Sequence, residues 1–274
     1  MDTESIIKQI DIIRIKNNRT FSIQDAIIDE KVLTLNINGE KAFEMVFSIT
    51  HPLYLAAGFL FTQGIIRSQT DIREQAWFPD NQICSLTLSQ DAVQRLERFK
   101  KKGTPVKGSS GGSLLPDPGS GHAIKETHPF TITPDQVLSL TEQHWQHSKM
   151  FHQTGAVHSA GLSDGRTILE YYEDIGRHNA VDKLAGSVLL NRTDTGKKIA
   201  TLSCRMSLEI IGKIIKTRIP IVISNAAPTL SAVSLARSSG LTIIGFARDN
   251  QFNIYTHGHR IRPGGSEASS ANHP

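Results

Sequence analysis

The sequence predicts an α/β protein, α+β overall, in two parts. A small, mostly antiparallel N-terminal β domain precedes a three-layer domain built on a mixed, mainly parallel sheet. Three observations carry this. Residues 31–37 alternate apolar and polar side chains up to Asn38-Gly39, and residues 40–47 return, which is the pattern of a tight hairpin. From residue 167 onward short apolar runs alternate with helical stretches, so the strands are joined by crossovers and run parallel, with helices on the sheet faces. Between the two patterns the composition shifts to Lys, Gly, Ser and Pro, as in a flexible connection.

In order, residues 6–15 form a β-prone run, 53–61 a short apolar helix closed by Gly64, 83–88 a strand and 91–100 an amphipathic helix with Asp91 near its start. Residues 1–100 make the N-terminal domain. Residues 101–124, containing Lys107-Gly-Ser-Ser-Gly-Gly-Ser, make the loop or linker. Residues 125–261 make the second domain. There Thr133 caps and Pro134 starts a helix reaching about Ser148, and strands 156–161 and 167–172 flank the turn Ser163-Asp-Gly-Arg. Helices 177–190, 206–216 and 229–238 then lead to strands 198–202, 219–224 and 241–246, and 252–255 adds a last strand. Residues 262–274 have the composition of a disordered tail.

The charge excludes little. Thirty basic against 26 acidic residues give +4 over 274 residues, an excess that suits an anionic ligand as well as nucleic acid. Nucleic acid is set aside because aromatic residues are scarce near the lysine run, leaving no stacking platform. Cys84 and Cys204 are the only cysteines and give no disulfide framework; with acidic residues at the N-terminus and no unbroken apolar leader, the expectation is a cytoplasmic protein. No apolar run approaches the ~18 residues that span a bilayer, so no membrane contact is expected. Neither a G-x-x-x-x-G-K-[ST] loop nor a G-x-G-x-x-G turn after a strand occurs. Adjacent residues on a strand point opposite ways, so His158 and Ser159 make a poor base and nucleophile.

Polar clusters stand at the carboxyl ends of the predicted parallel strands, where open sheets bind ligands. Glu173-Asp-Ile-Gly-Arg-His-Asn-Ala-Val-Asp-Lys follows one strand, with Gly176 in the turn and Arg177, His178 and Asn179 beside the free amides of a helix start. Ser203-Cys-Arg-Met-Ser follows the next, Ser224-Asn-Ala-Ala-Pro-Thr the third, and Ala247-Arg-Asp-Asn-Gln the fourth. His158 opens the domain towards the same rim. Arg177, Arg205 and Arg248 with three helix starts would suit a multiply phosphorylated ligand; alternatively the Ser and Asn residues merely cap their helices.

The order of elements is similar to the cytidine deaminase fold, whose zinc chemistry needs H-x-E followed by P-C-x-x-C at the next helix start. Here the two places read His178-Asn-Ala and Cys204-Arg-Met-Ser, which lack ligands and the glutamate, so architecture without deaminase chemistry and without a metal is expected. By residue type Cys204 is a buried structural thiol, with His178 nearby.

The long block at residues 173–184, together with Thr154-Gly-Ala-Val-His-Ser-Ala, Ser203-Cys-Arg-Met-Ser-Leu-Glu, Gly245-Phe-Ala-Arg and Ala57-Gly-Phe-Leu-Phe-Thr-Gln-Gly-Ile-Ile, resembles the formate dehydrogenase accessory proteins of the FdhD/NarQ family over most of the chain. The resemblance implies a sulfur carrier in formate dehydrogenase maturation. A cysteine desulfurase loads a persulfide on a loop cysteine, and the sulfur passes to the molybdenum bis(guanine dinucleotide) cofactor before insertion into the catalytic subunit. It also implies a guanine nucleotide site on the loop Phe246, Ala247, Arg248, Asp249, Asn250 and Gln251. The chain departs from the pattern mainly in the matching loop, Ser109-Ser-Gly-Gly-Ser, which has no cysteine, and to a lesser degree at Gln63, where the family commonly has glutamate. Ser110 stands at the replaced position, and a hydroxyl cannot hold a persulfide. Cys204, in the rim, is the candidate substitute, while Cys84 is expected to pack inside a strand. The second reading is therefore a cofactor-binding chaperone that transfers no sulfur. A homodimer is the default assembly.

Overall fold

The computed structural model describes residues 6–48, 50–101, 124 and 130–262; the glycine-rich loop with Ser110 and the predicted tail beyond Arg262 lie outside them. β1 (Ile7–Lys16) and β2 (Arg19–Ile28) pair antiparallel around Asn17 and Asn18, both at positive φ, and form a ribbon separate from the two sheets. Strand β2 is missing from the sequence reading because most of its side chains are exposed, so no buried face imposes an alternation.

β3 (Lys31–Ile37) and β4 (Glu40–Phe47) form the predicted hairpin around Asn38-Gly39. With β5 (Ile72–Phe78) and β6 (Ile83–Leu88) they make a four-stranded sheet in the order β4-β3-β6-β5, antiparallel at both sides and parallel between β3 and β6. Leu33, Leu35 and Ile37 alternate into a core shared with α1 (Pro52–Thr62) and α2 (Gln90–Lys101). The polar run Arg73-Glu74-Gln75 hides edge strand β5 from the hydrophobic pattern.

The second sheet has six strands in the order β12-β11-β10-β9-β7-β8: β7 (His158–Ser163), β8 (Ile168–Asp174), β9 (Ile199–Leu202), β10 (Ile221–Ser224), β11 (Thr242–Arg248) and β12 (Gln251–Ile254). β9, β10 and β11 are parallel neighbours, and β7 and β12 run antiparallel to theirs, giving the expected mixed sheet. α3 (Pro134–His147) opens with a capping box between Thr133 and Gln136 and covers one face through Val137 and Leu140 against Ile199, Ile221 and Ile244. The short α4 (Lys149–Thr154) follows it. α5 (Arg177–Leu190), α6 (Leu208–Thr217) and α7 (Leu230–Ser239) cover the other face through Val181, Leu184, Ile210, Ile214, Ala232 and Ala236. The result is three layers, α/β/α, with the N-terminal sheet and its helices alongside. Among the described residues no helix is long and apolar enough to cross a membrane.

The two units meet where α1 lies on α5. A Cβ added to Gly58 would stand 1.7 Å from the Asp182 carbonyl oxygen, and one on Gly186 would stand 1.9 Å from that of Tyr54, so only glycine lets the helices approach this closely. Asp174, Asp182 and Lys183 work at this seam rather than in solvent. Asp182 accepts from Thr62 Oγ1 at 2.7 Å and from Lys213 Nζ at 2.6 Å, so its partners lie on α1 and α6 rather than on α5 itself. Lys183 Nζ lies 2.7 Å from Asp174 Oδ2, 2.9 Å from Thr50 Oγ1 and 2.9 Å from the Glu173 carbonyl. Burial pushes the Lys183 ammonium down and the Asp182 carboxyl up from their ordinary values, and the paired partners oppose both shifts.

Candidate functional site

The carboxyl ends of β9, β10 and β11 and the start of antiparallel β7 come together beside α3 and α4, around a cleft of about 330 Å³. That is the low end of the range for small-molecule sites. The lining unites His158, Ser203, Ala247, Arg248 and Asp249 from the predicted rim with Ser159, Thr201, Ser224 and Asn225 from the strand ends and His144, Trp145 and Phe151 from the helices.

The floor is a closed polar network. Ser203 Oγ accepts from Ser159 N at 2.8 Å and Ser224 Oγ donates to the Cys204 carbonyl at 2.9 Å, which ties neighbouring strand ends together. His144 stands between Thr201 Oγ1 at 2.7 Å and Ser159 Oγ at 2.8 Å, and burial pushes its imidazole down to about 3, so it is neutral at physiological pH. His158 is lowered by burial and then by the charges of Arg177 and Arg205. The floor is therefore neutral and rich in hydroxyls, with cations around it.

Arg248 stands on a loop of unusual backbone. Phe246 has φ 53° at a bulge between Gly245 and Arg248, and Asp249 and Asn250 take φ 52° and 56° in the turn to β12. The bulge lets Ala247, Arg248 and Asp249 face the cleft, while Phe246, Arg248 and Gln251 line a second hollow of about 270 Å³ on the outer side. Arg248 borders both. Its guanidinium lies 5.9 Å from the Phe246 ring centre and its Nε 3.8 Å from Asp249 Oδ2, and its side chain remains largely exposed, so it is available to an anion.

Other predicted residues stand elsewhere. Asn179 is buried at the seam, donating to the Val46 carbonyl at 2.8 Å and to Asp174 Oδ1 at 3.0 Å. His178 is buried with Nε2 3.2 Å from Glu209 Oε2; burial, then the charges of Lys213 and Arg177, pushes it down to about 3. Arg177 and Arg205 are close enough to act on His158 and Cys204 but are absent from the lining of the cleft. Ser207 and Thr229 cap α6 and α7, the ordinary role for those residues.

Cys204 is 3% exposed, and burial raises its thiol to about 11 against the opposing pull of Arg177 and Arg205. Cys84 packs in the N-terminal core, where burial pushes it to about 12. Neither thiol is ionised at neutral pH. Among the described residues no three His, Cys, Asp or Glu side chains gather as a metal site would need.

The sequence reading missed the helical wall. His144, Trp145 and Phe151 lie in and after a helix whose packing on the cleft side follows from the sheet's topology, and their own spacing carries no ligand signal.

Comparison with known proteins finds relatives along almost the whole chain. The FdhD/NarQ family model matches residues 28–262. The chain is 34% identical over 261 residues to the sulfur carrier protein FdhD of Staphylococcus haemolyticus, covering 94% of this chain and 98% of that one. It is 30% identical over 250 residues to the protein of the same name from Staphylococcus aureus strain MRSA252, covering 91% and 94%. A crystal structure of a formate dehydrogenase accessory protein from Desulfotalea psychrophila superposes with a TM-score of 0.75 at 22% identity, over 94% of this chain and all of that one, which shows the shared fold. The chain belongs to the FdhD/NarQ family.

Proposed function

We propose that this protein serves formate dehydrogenase maturation by holding a guanine nucleotide end of the molybdenum bis(guanine dinucleotide) cofactor in the cleft while the cofactor receives sulfur. The observation that carries the reading is the cleft beside Arg248, which combines an available guanidinium with a neutral hydroxyl-lined floor. Phosphate suits the first and a nucleoside the second. At about 330 Å³ the cleft has room for one nucleotide end, and the remainder of so large a cofactor extends outside. The relatives' name, sulfur carrier protein, supports placing the chain on the sulfur route.

In the first form of this reading Cys204 carries the sulfur. Its thiolate attacks the outer sulfur of a desulfurase persulfide, takes that sulfur as Cys204–S–SH and releases the desulfurase cysteine as thiolate. The burial of both thiols favours the second form, in which the protein holds and delivers the cofactor while the sulfur moves without it. A cysteine desulfurase and the dehydrogenase catalytic subunit are the partners of the first form, the catalytic subunit alone of the second, and a homodimer is the proposed assembly. Calorimetric titration with guanosine diphosphate tests the shared part: Arg248→Ala should weaken binding by about 1–3 kcal/mol if it loses a charged hydrogen bond to phosphate. Unchanged affinity would reject the cleft as the nucleotide site. Intact-protein mass after incubation with a desulfurase and cysteine separates the two forms, since only the first adds sulfur to Cys204.

A further inference from the structure

The helical wall of the cleft carries its aromatic side chains, Trp145 and Phe151. Trp145 lines it with 49% of its surface exposed, although tryptophan is usually largely covered. The ring is held in place by edge contacts, Phe151 at 5.6 Å and His152 at 4.5 Å between ring centres. His152 Nε2–H donates to the Trp145 carbonyl at 2.8 Å. Phe151 is fixed in turn, because its backbone amide donates to Glu173 Oε1 at 3.1 Å. An exposed, immobilised aromatic ring at the edge of a cleft is pre-organised for stacking. Glu142, one turn before Trp145 and so on the same side of α3, also lines the cleft. Its Oε1 accepts from Gln146 at 2.9 Å, which orients the carboxylate. On the strand side Leu202, Ile223 and Ala247 add apolar surface.

We propose that Trp145 stacks on, and Glu142 reads the edge of, a fused ring bearing a 2-amino-4-oxopyrimidine, the ring system shared by guanine and pterins. The ring N–H next to the oxo carbon (N1 in guanine, N3 in pterins) and the 2-amino group are adjacent donors, spaced for the two oxygens of one carboxylate. The neutral His144 puts no positive charge in the floor beneath Glu142. The proposal rests on the cofactor reading of the cleft and adds an orientation: the heterocycle lies against α3 and the phosphates lie towards Arg248.

The test is calorimetry on the full chain with guanosine, inosine and adenosine diphosphates and a free pterin, in wild type, Trp145→Ala, Trp145→Phe, Glu142→Gln and Arg248→Ala. Guanosine diphosphate should bind more tightly than adenosine diphosphate. Trp145→Ala should weaken it by about 5- to 150-fold, the range for loss of one stacked base, while Trp145→Phe keeps most of the affinity and covers the case of an unfolded alanine variant. Glu142→Gln should cut the preference for guanosine over inosine diphosphate, which lacks the 2-amino group, by about tenfold. A pterin that binds more tightly than guanosine diphosphate assigns the wall to the pterin end, and the reverse order assigns it to the guanine end; both support the proposal. Wild-type affinity in Trp145→Ala, Trp145→Phe and Glu142→Gln, with weakened binding in Arg248→Ala, overturns the wall and leaves the cleft standing. No binding by wild type, or binding insensitive to every variant, overturns both.

Discussion

Lys183 Nζ on α5 lies 2.7 Å from Asp174 Oδ2 at the end of β8, and neither side chain has exposed surface. The same ammonium reaches the carbonyl of Ser48 at 3.2 Å, and the second Asp174 oxygen accepts from Gly176 N at 2.9 Å. One buried pair therefore joins the N-terminal unit, the turn before α5 and α5 itself. This turn is the most distinctive stretch of the sequence, and its side chains are spent mainly on assembly.

Lys183→Met leaves Asp174 charged, buried and without its cation. The expected loss is about 3–5 kcal/mol, the usual cost of removing one partner of a buried pair. Urea denaturation measures it; a loss under ~1 kcal/mol would show that the pair does not hold the seam.

Gly58→Ala and Gly186→Ala each push a methyl group into the backbone of the facing helix. Each should cost more than the ~1–3 kcal/mol typical of overpacking, because backbone cannot rotate away as a side chain can. Thermal unfolding of the two variants checks this, and a wild-type midpoint in either would contradict the close helix approach.

His144 makes stability depend on pH in acid. Its folded value, pushed down to about 3, lies below the ordinary 6.5, so the unfolded chain binds the extra proton between those values and stability falls as pH drops through that window. At pH 4.5 the cost is about 2–3 kcal/mol. His144→Gln, which can still hydrogen-bond, should lose less stability than wild type between pH 6.5 and 4.5; parallel curves would contradict a buried neutral imidazole.

Cys204 should resist alkylation. With the thiol raised to about 11, roughly one molecule in 3,000 carries the thiolate at pH 7.5, and the side chain is covered as well. Iodoacetamide should modify neither cysteine in the native protein over an hour and both in urea, read by intact mass. Rapid native labelling of Cys204 would show that the thiol opens to the cleft and would favour the carrier form of the function.

The six-stranded sheet and its covering helices were legible because those elements carry local signatures. The Thr133-Pro134 start and the apolar runs of β9, β10 and β11 fix each element by its own composition, and alternation with helices gives the layers. The rim could be placed for the same reason, since His158, Ser203 and Arg248 sit at strand ends and the sheet brings those ends together. The burial of Asn179, Asp182 and Lys183 could not be read, because it depends on β4, the residues after it and α1, more than a hundred residues away, meeting α5. A charged helix start looks the same in sequence whether it faces solvent or a second domain. The helical wall was hidden likewise: Trp145 is one exposed aromatic on an amphipathic helix until α3 is laid across the sheet.

Hydrogen–deuterium exchange with and without guanosine diphosphate tests the central claim, that the strand-end cleft is the nucleotide site, most directly. The account predicts slower exchange on binding in residues 141–148, 157–159, 201–204, 223–226 and 246–251, and little change in the N-terminal sheet. Protection confined to the N-terminal unit, or absent from the strand ends at saturating nucleotide, would contradict it.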